Sequence, residues 1–317
     1  MHWLICGTYP GNPDADSGLL SGLATTKLGS GRALRGEPEA GRWPDVPPDS
    51  LLVHNPDYGA PRHLPIGRGT PALAAAAAIT AKEMDSGMLR VLLAADDGKG
   101  GGSRAVYRHL LENAAQYSGW GITFHYLLPD VDWHNRILMA LRDLPERPLL
   151  CADAGYMYAA KMSGYAAEYD LFTPDIGELA FLADENAPHP FYTRGFLLAD
   201  EEDAPGLIKR AYEHENAAKT MLVKGRVDMV AQNGRVLDQI NYPMVPHLEP
   251  IGGTGDTVAG IASALLAAGI PIIRACSLAA RANRYMGQLA QPTPATQIGE
   301  LLAQLPGGIR LAMQELS

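Results

Sequence analysis

The chain has 317 residues, 47% hydrophobic and 19% charged, which suits one large α/β domain or two smaller ones. Its formal net charge of -9, with no basic patch interleaved with aromatics, argues against nucleic acid as a partner. No run reaches the roughly 18 apolar residues of a membrane span, and the opening Met-His-Trp-Leu-Ile-Cys-Gly lacks the basic start of a signal peptide. Cys6, Cys151 and Cys276 lie in apolar surroundings, and three widely spaced cysteines read as buried free thiols in a reducing cytoplasm.

In chain order, residues 3–6 read as a short first strand. Residues 8–65 are rich in Gly and Pro and weakly periodic; they read as an irregular insertion or small hairpins, a lid or an oligomer contact. The core of a single domain is expected over 66–317. Gly67-Arg68-Gly69-Thr70-Pro71 opens an alanine-rich helix over 72–84, with Thr70 at the N-cap and Pro71 at N1. A plain turn at Gly67 and Gly69 accounts for those glycines equally well.

Residues 88–95 read as a buried strand, followed by Asp96-Asp97-Gly98-Lys99-Gly100-Gly101-Gly102-Ser103 and a helix over 104–117. Strand, glycine-rich loop and helix form a phosphate-binding layout, but the P-loop spacing is missing and an ordinary loop fits as well. A strand over 122–128 leads into Pro129-Asp130-Val131-Asp132-Trp133-His134-Asn135, then a helix to 144. Asp130 thus follows a strand end, where α/β sheets place ligands; a lone His134 is more often structural.

The strand over 148–152 ends at Asp153, and a short helix covers 157–163. The strand over 169–172 runs into Thr173-Pro174-Asp175-Ile176-Gly177-Glu178 and a helix over 179–182. Asp175 and Glu178, three apart at a helix start, could orient a hydrated Mg²⁺ or simply cap the helix. A helix over 204–217 and a strand over 220–224 follow. Residues 227–232 and 235–240 then flank Asn233-Gly234, a strong hairpin signal.

The richest stretch is Ile251-Gly252-Gly253-Thr254-Gly255-Asp256-Thr257-Val258-Ala259-Gly260. Val258, Ile261, Ala262, Leu265 and Leu266 mark one buried helix face directly after the glycines. Free amides and the positive helix end would therefore face an anion at Gly253, Thr254 and Gly255. Asp256 would repel that anion, so it needs another task; accepting a proton from a hydroxyl beside the phosphate is the obvious one. Further helices are expected over 271–291 and 298–305. Alternating strands and helices imply an α/β fold with a mostly parallel central sheet covered on both faces.

The order of these motifs resembles the ribokinase-like superfamily and, within it, the ADP-dependent NAD(P)H-hydrate dehydratases. The runs that carry the resemblance are Asp153-Ala154-Gly155, Thr173 to Glu178, Leu222-Val223-Lys224-Gly225 and Gly252 to Gly260. The likeness covers residues 148–290 well and 66–95 loosely. It implies ADP or ATP beneath a turn formed by Lys224, Gly225, Arg226 and Asp228, with phosphates reaching Gly253, Thr254 and Gly255. It also implies Mg²⁺ near Glu178 and Asp175, substrate contacts at Asp153, Asp175 and Asp130, and Asp256 at the substrate hydroxyl. The implied activity is repair of hydrated NADH and NADPH, with a homo-oligomer as a family expectation. Asp175 stands where the dehydratases carry His, and Gly155 replaces the second Asp of their Asp-Ala-Asp. A small-molecule kinase acting on a hydroxylated metabolite is the alternative, since Asp175-x-x-Glu178 approaches the kinases' Asn-x-x-Glu. A non-catalytic nucleotide-binding protein is the third reading, and an intact Asp256 argues against it.

Overall fold

The computed structural model describes residues 1–12, 19–28, 49–58, 60–86, 89–187 and 203–316. Eleven described strands form one sheet. Six are parallel and lie at its centre: β5 (Leu89–Asp96), β1 (Trp3–Pro10), β6 (Gly121–His125), β7 (Leu149–Ala152), β8 (Leu171–Phe172) and β9 (Thr220–Val223), in that spatial order. Leu, Ile, Val and Ala crowd these strands because both faces are covered. The antiparallel hairpin β10 (Asp228–Gln232) and β11 (Arg235–Ile240) closes one edge. Asn233 and Gly234 take positive φ values of 52° and 73°, as the Asn-Gly signal requires.

The other edge decides between two expectations. The segment over 8–65 was read as an irregular insertion or small hairpins; β1 extends to Pro10 and three further antiparallel strands lengthen the sheet. These are β2 (Leu19–Lys27), β3 (Ser50–His54) and β4 (Arg62–Pro65), all antiparallel, with β2 paired to β5. Short strands with weak alternation and frequent Gly and Pro hide their period from a sequence reading. Residues 13–18, 29–48 and 59 of that segment lie outside the described residues.

Two helical layers cover the sheet. One face holds α1 (Thr70–Glu83), α7 (Thr254–Ala267), α8 (Ile272–Ala290), α9 (Ile298–Leu302) and α10 (Leu305–Glu315). The other holds α2 (Gly101–Glu112), α3 (Val131–Arg142), α4 (Gly155–Met162), α5 (Ile176–Ala183) and α6 (Ala204–Glu213). The alanines of α1 and the small residues of α7 let these two helices approach closely. At Gly260 a Cβ would lie 2.1 Å from the Leu73 carbonyl oxygen, so only glycine permits the contact. That packing brings the first turns of α1 and α7 together above the sheet.

Element ends moved in several places. Thr70 is the first residue of α1 and Gly69 its N-cap, one position earlier than expected. The strand expected over 122–128 stops at His125, because Tyr126 adopts a left-handed φ of 48° that ends the ladder. The helix expected over 104–117 begins inside the glycine run and finishes as a separate 3₁₀ turn at Ala114–Tyr117. Helix α10 was not anticipated. All three cysteines are buried and free. No helix among the described residues is long and apolar enough to cross a membrane.

Candidate active site

The parallel strands converge at their C-terminal ends, where β1 separates β5 from β6 and the chain changes direction across the sheet. There β6 ends with His125, Asp153 follows β7, Thr173 to Asp175 follow β8, and Lys224 follows β9. A parallel bridge between Asp175 and Lys224 continues the sheet one step beyond its strands. The starts of α1 and α7 arrive over these ends.

A connected polar network fills the junction. Asp256 is the third residue of α7, and its carboxylate is held from two sides. The Gly69 amide donates to Oδ2 at 2.6 Å, and His125 Nε2 lies 3.0 Å from Oδ1. A carboxylate can only accept, so Nε2 carries a proton toward Asp256. Thr70 Oγ1 sits 3.0 Å from His125 Nδ1 and fixes the other side of the ring. Lys224 Nζ grips both oxygens of Asp153 at 2.9 and 3.0 Å. His125 is fully buried, yet the Asp256 side chain keeps 12% exposure, which leaves it reachable by a hydroxyl. Each of its oxygens has one partner within the protein and therefore a second lone pair to offer.

Deeper bonds hold α7 in place. The Thr123 hydroxyl of β6 lies 2.7 Å from that of Ser263, and the Thr257 hydroxyl lies 2.6 Å from Asn283 Oδ1. Gly253, at φ 105°, is the N-cap of α7, a conformation that glycine adopts at low cost. The first helical bond runs from the Thr257 amide to the Gly253 carbonyl. The amides of Thr254, Gly255 and Asp256 thus have no partner inside the helix.

Electrostatics divide these acids into two kinds. Burial would raise the Asp256 carboxyl, but the His125 hydrogen bond and charge, with Lys224 and the Gly69 amide, hold it below the usual carboxylate range. It is a carboxylate at neutral pH. Burial would lower Lys224, yet Asp153 and Glu178 outweigh it and keep the ammonium charged. Glu178 goes the other way: burial, and then Asp175 beside it, push its carboxyl up to about 8. Burial, followed by the negative charges of Asp256, Glu178 and Asp153, pushes the Tyr126 phenol up to about 12. Tyr126 is half exposed, its ring edge-on to His125. Its strained backbone is the kind of outlier that collects at functional sites.

No protein-family profile matches the chain. Uncharacterized protein MJ1337 of Methanocaldococcus jannaschii is 37% identical over 228 residues, which cover 72% of this chain and 94% of that protein. An ADP-dependent (S)-NAD(P)H-hydrate dehydratase of Cenarchaeum symbiosum is 30% identical over 156 residues, 49% of this chain and 48% of the relative. The chain therefore spans about half the length of that relative. Among solved structures, phosphofructokinase-2 of Escherichia coli in complex with fructose-6-phosphate superposes with a TM-score of 0.51 at 11% identity, covering 97% of this chain and 98% of the other. The chain belongs to the ribokinase-like superfamily, in one family with MJ1337.

In this ribokinase-like chain the anticipated residues fall into three groups. Asp153, Lys224 and Asp256 share the central network with His125, and the open start of α7 lies beside it; a Cβ on Gly255 would sit 3.7 Å from the Lys224 stem. Asp175 and Glu178 form a reciprocal capping box on α5, and Tyr158 also donates to Glu178. Among the described residues no group of three or more His, Cys, Asp or Glu side chains is arranged to hold a metal ion.

The third group supports the framework. Asp130 caps α3 through the amides of Asp132 and Trp133 and is not joined to the network. Asp228 is taken up by Arg284 at 2.7 Å and by the Gly225 amide, while Arg284 also ties the carbonyls of Gly225 and Arg226. The turn expected to cover a nucleotide is thus built as a stiff platform. The glycine-rich loop over 98–103 closes on the protein's own carboxylate. Asp96 accepts from the amides of Gly98, Gly100 and Ser103 and from the Ser103 hydroxyl. Three of the loop's amides are therefore already occupied by the protein's own carboxylate.

His125, Gly69, Thr70, Tyr126 and Arg284 did not emerge as site residues from the sequence. His125 and Tyr126 sat inside a run read as strand, and Arg284 inside an amphipathic helix. Gly69 and Thr70 were seen only as a helix start. The buried Thr173 hydroxyl also lacks a partner among the described residues, within the segment at the end of β8.

Proposed function

We propose that this chain uses ADP or ATP to dehydrate hydrated NADH or NADPH. The observation that carries the reading is the Asp256 carboxylate, clamped by Gly69 and His125 at the open start of α7 with lone pairs to spare. The names of the dehydratase relatives support the substrate, and the motif order supports the placement.

The chemistry follows from the residues. A phosphate group reaching the amides of Thr254 and Gly255 would meet the positive end of α7. Asp256 would accept the proton of the substrate hydroxyl as its oxygen forms a bond to the transferring phosphorus and the bond to the nucleotide breaks. Lys224 would hold its charge near the phosphates, positioned by Asp153. A hydroxyl leaves poorly and a phosphate leaves well. The ring then loses phosphate from the carbon that bore the hydroxyl and a proton from the neighbouring carbon, restoring the double bond. Asp175 and Glu178 would hold a hydrated Mg²⁺ through water. When bound, that ion would neutralise phosphate charge.

The second reading is a small-molecule kinase that stops after phosphoryl transfer, favoured by Asp175 in the position of the dehydratase His. An absorbance assay at the reduced-nicotinamide band separates the two. Hydrated NADH with Mg²⁺ and ADP or ATP should regain absorbance only when nucleotide is present. Absence of recovery with either nucleotide, while nucleotide still raises the Tm, would replace the dehydratase with the kinase.

A further inference from the structure

Tyr126 stands where the ladder between β1 and β6 stops. The last paired residues are Gly7 and His125. One step further the Thr8 hydroxyl donates to the Tyr126 carbonyl, and Tyr126 turns to a φ of 48°. Glycine takes that conformation at low cost, whereas a bulky aromatic residue is an outlier there. The side chain so placed is 50% exposed. Its ring nevertheless lies edge-on to the buried His125 ring, with centroids 4.4 Å apart. A Cβ on Gly69 would lie 3.5 Å from its Cδ2.

These contacts put the ring beside both groups that clamp Asp256, the Gly69 amide and the His125 imidazole. Burial, and then the charges of Asp256, Glu178 and Asp153, keep the phenol protonated at neutral pH, so it is a donor. Among the described residues that hydroxyl has no hydrogen-bond partner. The ionisable groups that bear on it are Asp256, Glu178, Asp153 and Lys224, an acid-rich set that favours an uncharged neighbour over a second phosphate. A half-exposed aromatic ring with a free donor beside the reactive carboxylate can serve as one wall of a ligand site.

We propose that Tyr126 is a specificity determinant that packs against an uncharged ring of the acceptor, the ring that bears the reacting hydroxyl. This rests on the reading of Asp256 as the group that meets that hydroxyl. A hydroxyl within reach of Asp256 brings the carbons that bear it alongside Tyr126. A ring there buries one face or edge against the phenol ring, in offset or edge-on contact. The free phenol hydroxyl can donate to a polar substituent of that ring. An open-chain polyol has no face to offer and leaves the Tyr126 ring in water. The site thus selects hydroxyls borne on a ring, and a hydrated nicotinamide satisfies it.

Calorimetry on the ADP-saturated protein tests this. NADH carries an uncharged ring, and ADP-ribose is the same molecule without it. NADH should bind the wild type at least about tenfold more tightly than ADP-ribose, and that preference should shrink at least about fivefold in Tyr126→Gly. Tyr126→Phe keeps the ring and should hold the preference to within about threefold of the wild type. ADP affinity in Tyr126→Gly should stay within about threefold, which shows that the variant is folded. No preference for NADH in the wild type, the same preference in Tyr126→Gly, or an ADP affinity that falls with it would overturn the inference. A Tyr126-dependent preference without nucleotide-driven recovery of hydrated NADH would instead remove the dehydratase reading and leave the ring contact standing. Recovery of hydrated NADH with the same KM in Tyr126→Gly would do the reverse.

Discussion

Two glycine-rich loops open helices at the sheet's C-terminal edge, one before α2 and one before α7, and they behave in opposite ways. The loop over 98–103 folds its amides around Asp96, which is held below the usual carboxylate range because those amides and the Ser103 hydroxyl outweigh its burial. The loop over 252–255 is not closed by its own acid in this way, since Asp256 reaches instead to Gly69 and His125 on other elements. Both loops join glycines to an acid. What separates them is the place of the acid. Asp96 precedes its glycines and can fold back into the nest; Asp256 follows and is carried onto the helix. A glycine-rich helix start is therefore an anion site only where the chain has not already supplied the anion.

The largest expected effect tests the open loop. Asp256→Asn keeps the shape but removes the proposed proton acceptor, so kcat should fall about 10²–10⁴-fold. ADP affinity, read by calorimetry, should change less than threefold. Full turnover in this variant would show that Asp256 does not accept the proton and that the two loops differ only in shape.

The filled loop should respond in stability and not in affinity. Asp96→Ala leaves three amides and the Ser103 hydroxyl without their acceptor, at a cost of about 1–3 kcal/mol in denaturant unfolding. ADP affinity should stay unchanged. A tenfold loss of ADP affinity would mean that both loops serve the nucleotide, and the contrast would collapse.

The smallest effect concerns a third helix start, that of α5, where Glu178 completes the capping box. Its carboxyl is raised from an ordinary 4.5 to about 8, so the folded protein binds this proton more tightly than the unfolded chain. The resulting stability is complete below pH 4.5 and is lost as pH climbs through about 8. Glu178→Gln can still accept the Asp175 amide and does not ionise. Its Tm relative to the wild type should rise by a few degrees between pH 5 and pH 9. A constant difference across that range would show that Glu178 is already ionised and that burial does not control it.

Much of this architecture was legible beforehand, for physical reasons. The largely apolar runs at β5, β6 and β7, short and followed by polar or Gly-rich stretches, read as strands buried on both faces, and Asn233-Gly234 read as a tight turn. The N-terminal strands were not legible, because β3 and β4, of five and four residues, are too short to show a period amid the Gly and Pro around them, and β2 lacks a regular alternation. At the site, Asp153, Lys224 and Asp256 were recognisable because each follows a strand end or opens a helix. His125 was not, since a histidine at the end of an apolar run looks like part of the strand until its neighbours are known.

The amino-acid order by itself determined the α/β class, the strand and helix alternation, and the chemical identity of the acid at the start of α7. Those depend on periodicity, glycine freedom and short-range capping, which act within a few residues. The tertiary structure alone decided that Asp256 meets Gly69 and His125, that Asp96 fills its own loop, and that Arg284 claims Asp228. Each of these pairs joins groups through burial and packing, and a buried charge takes its partner from whatever the fold brings within hydrogen-bond reach.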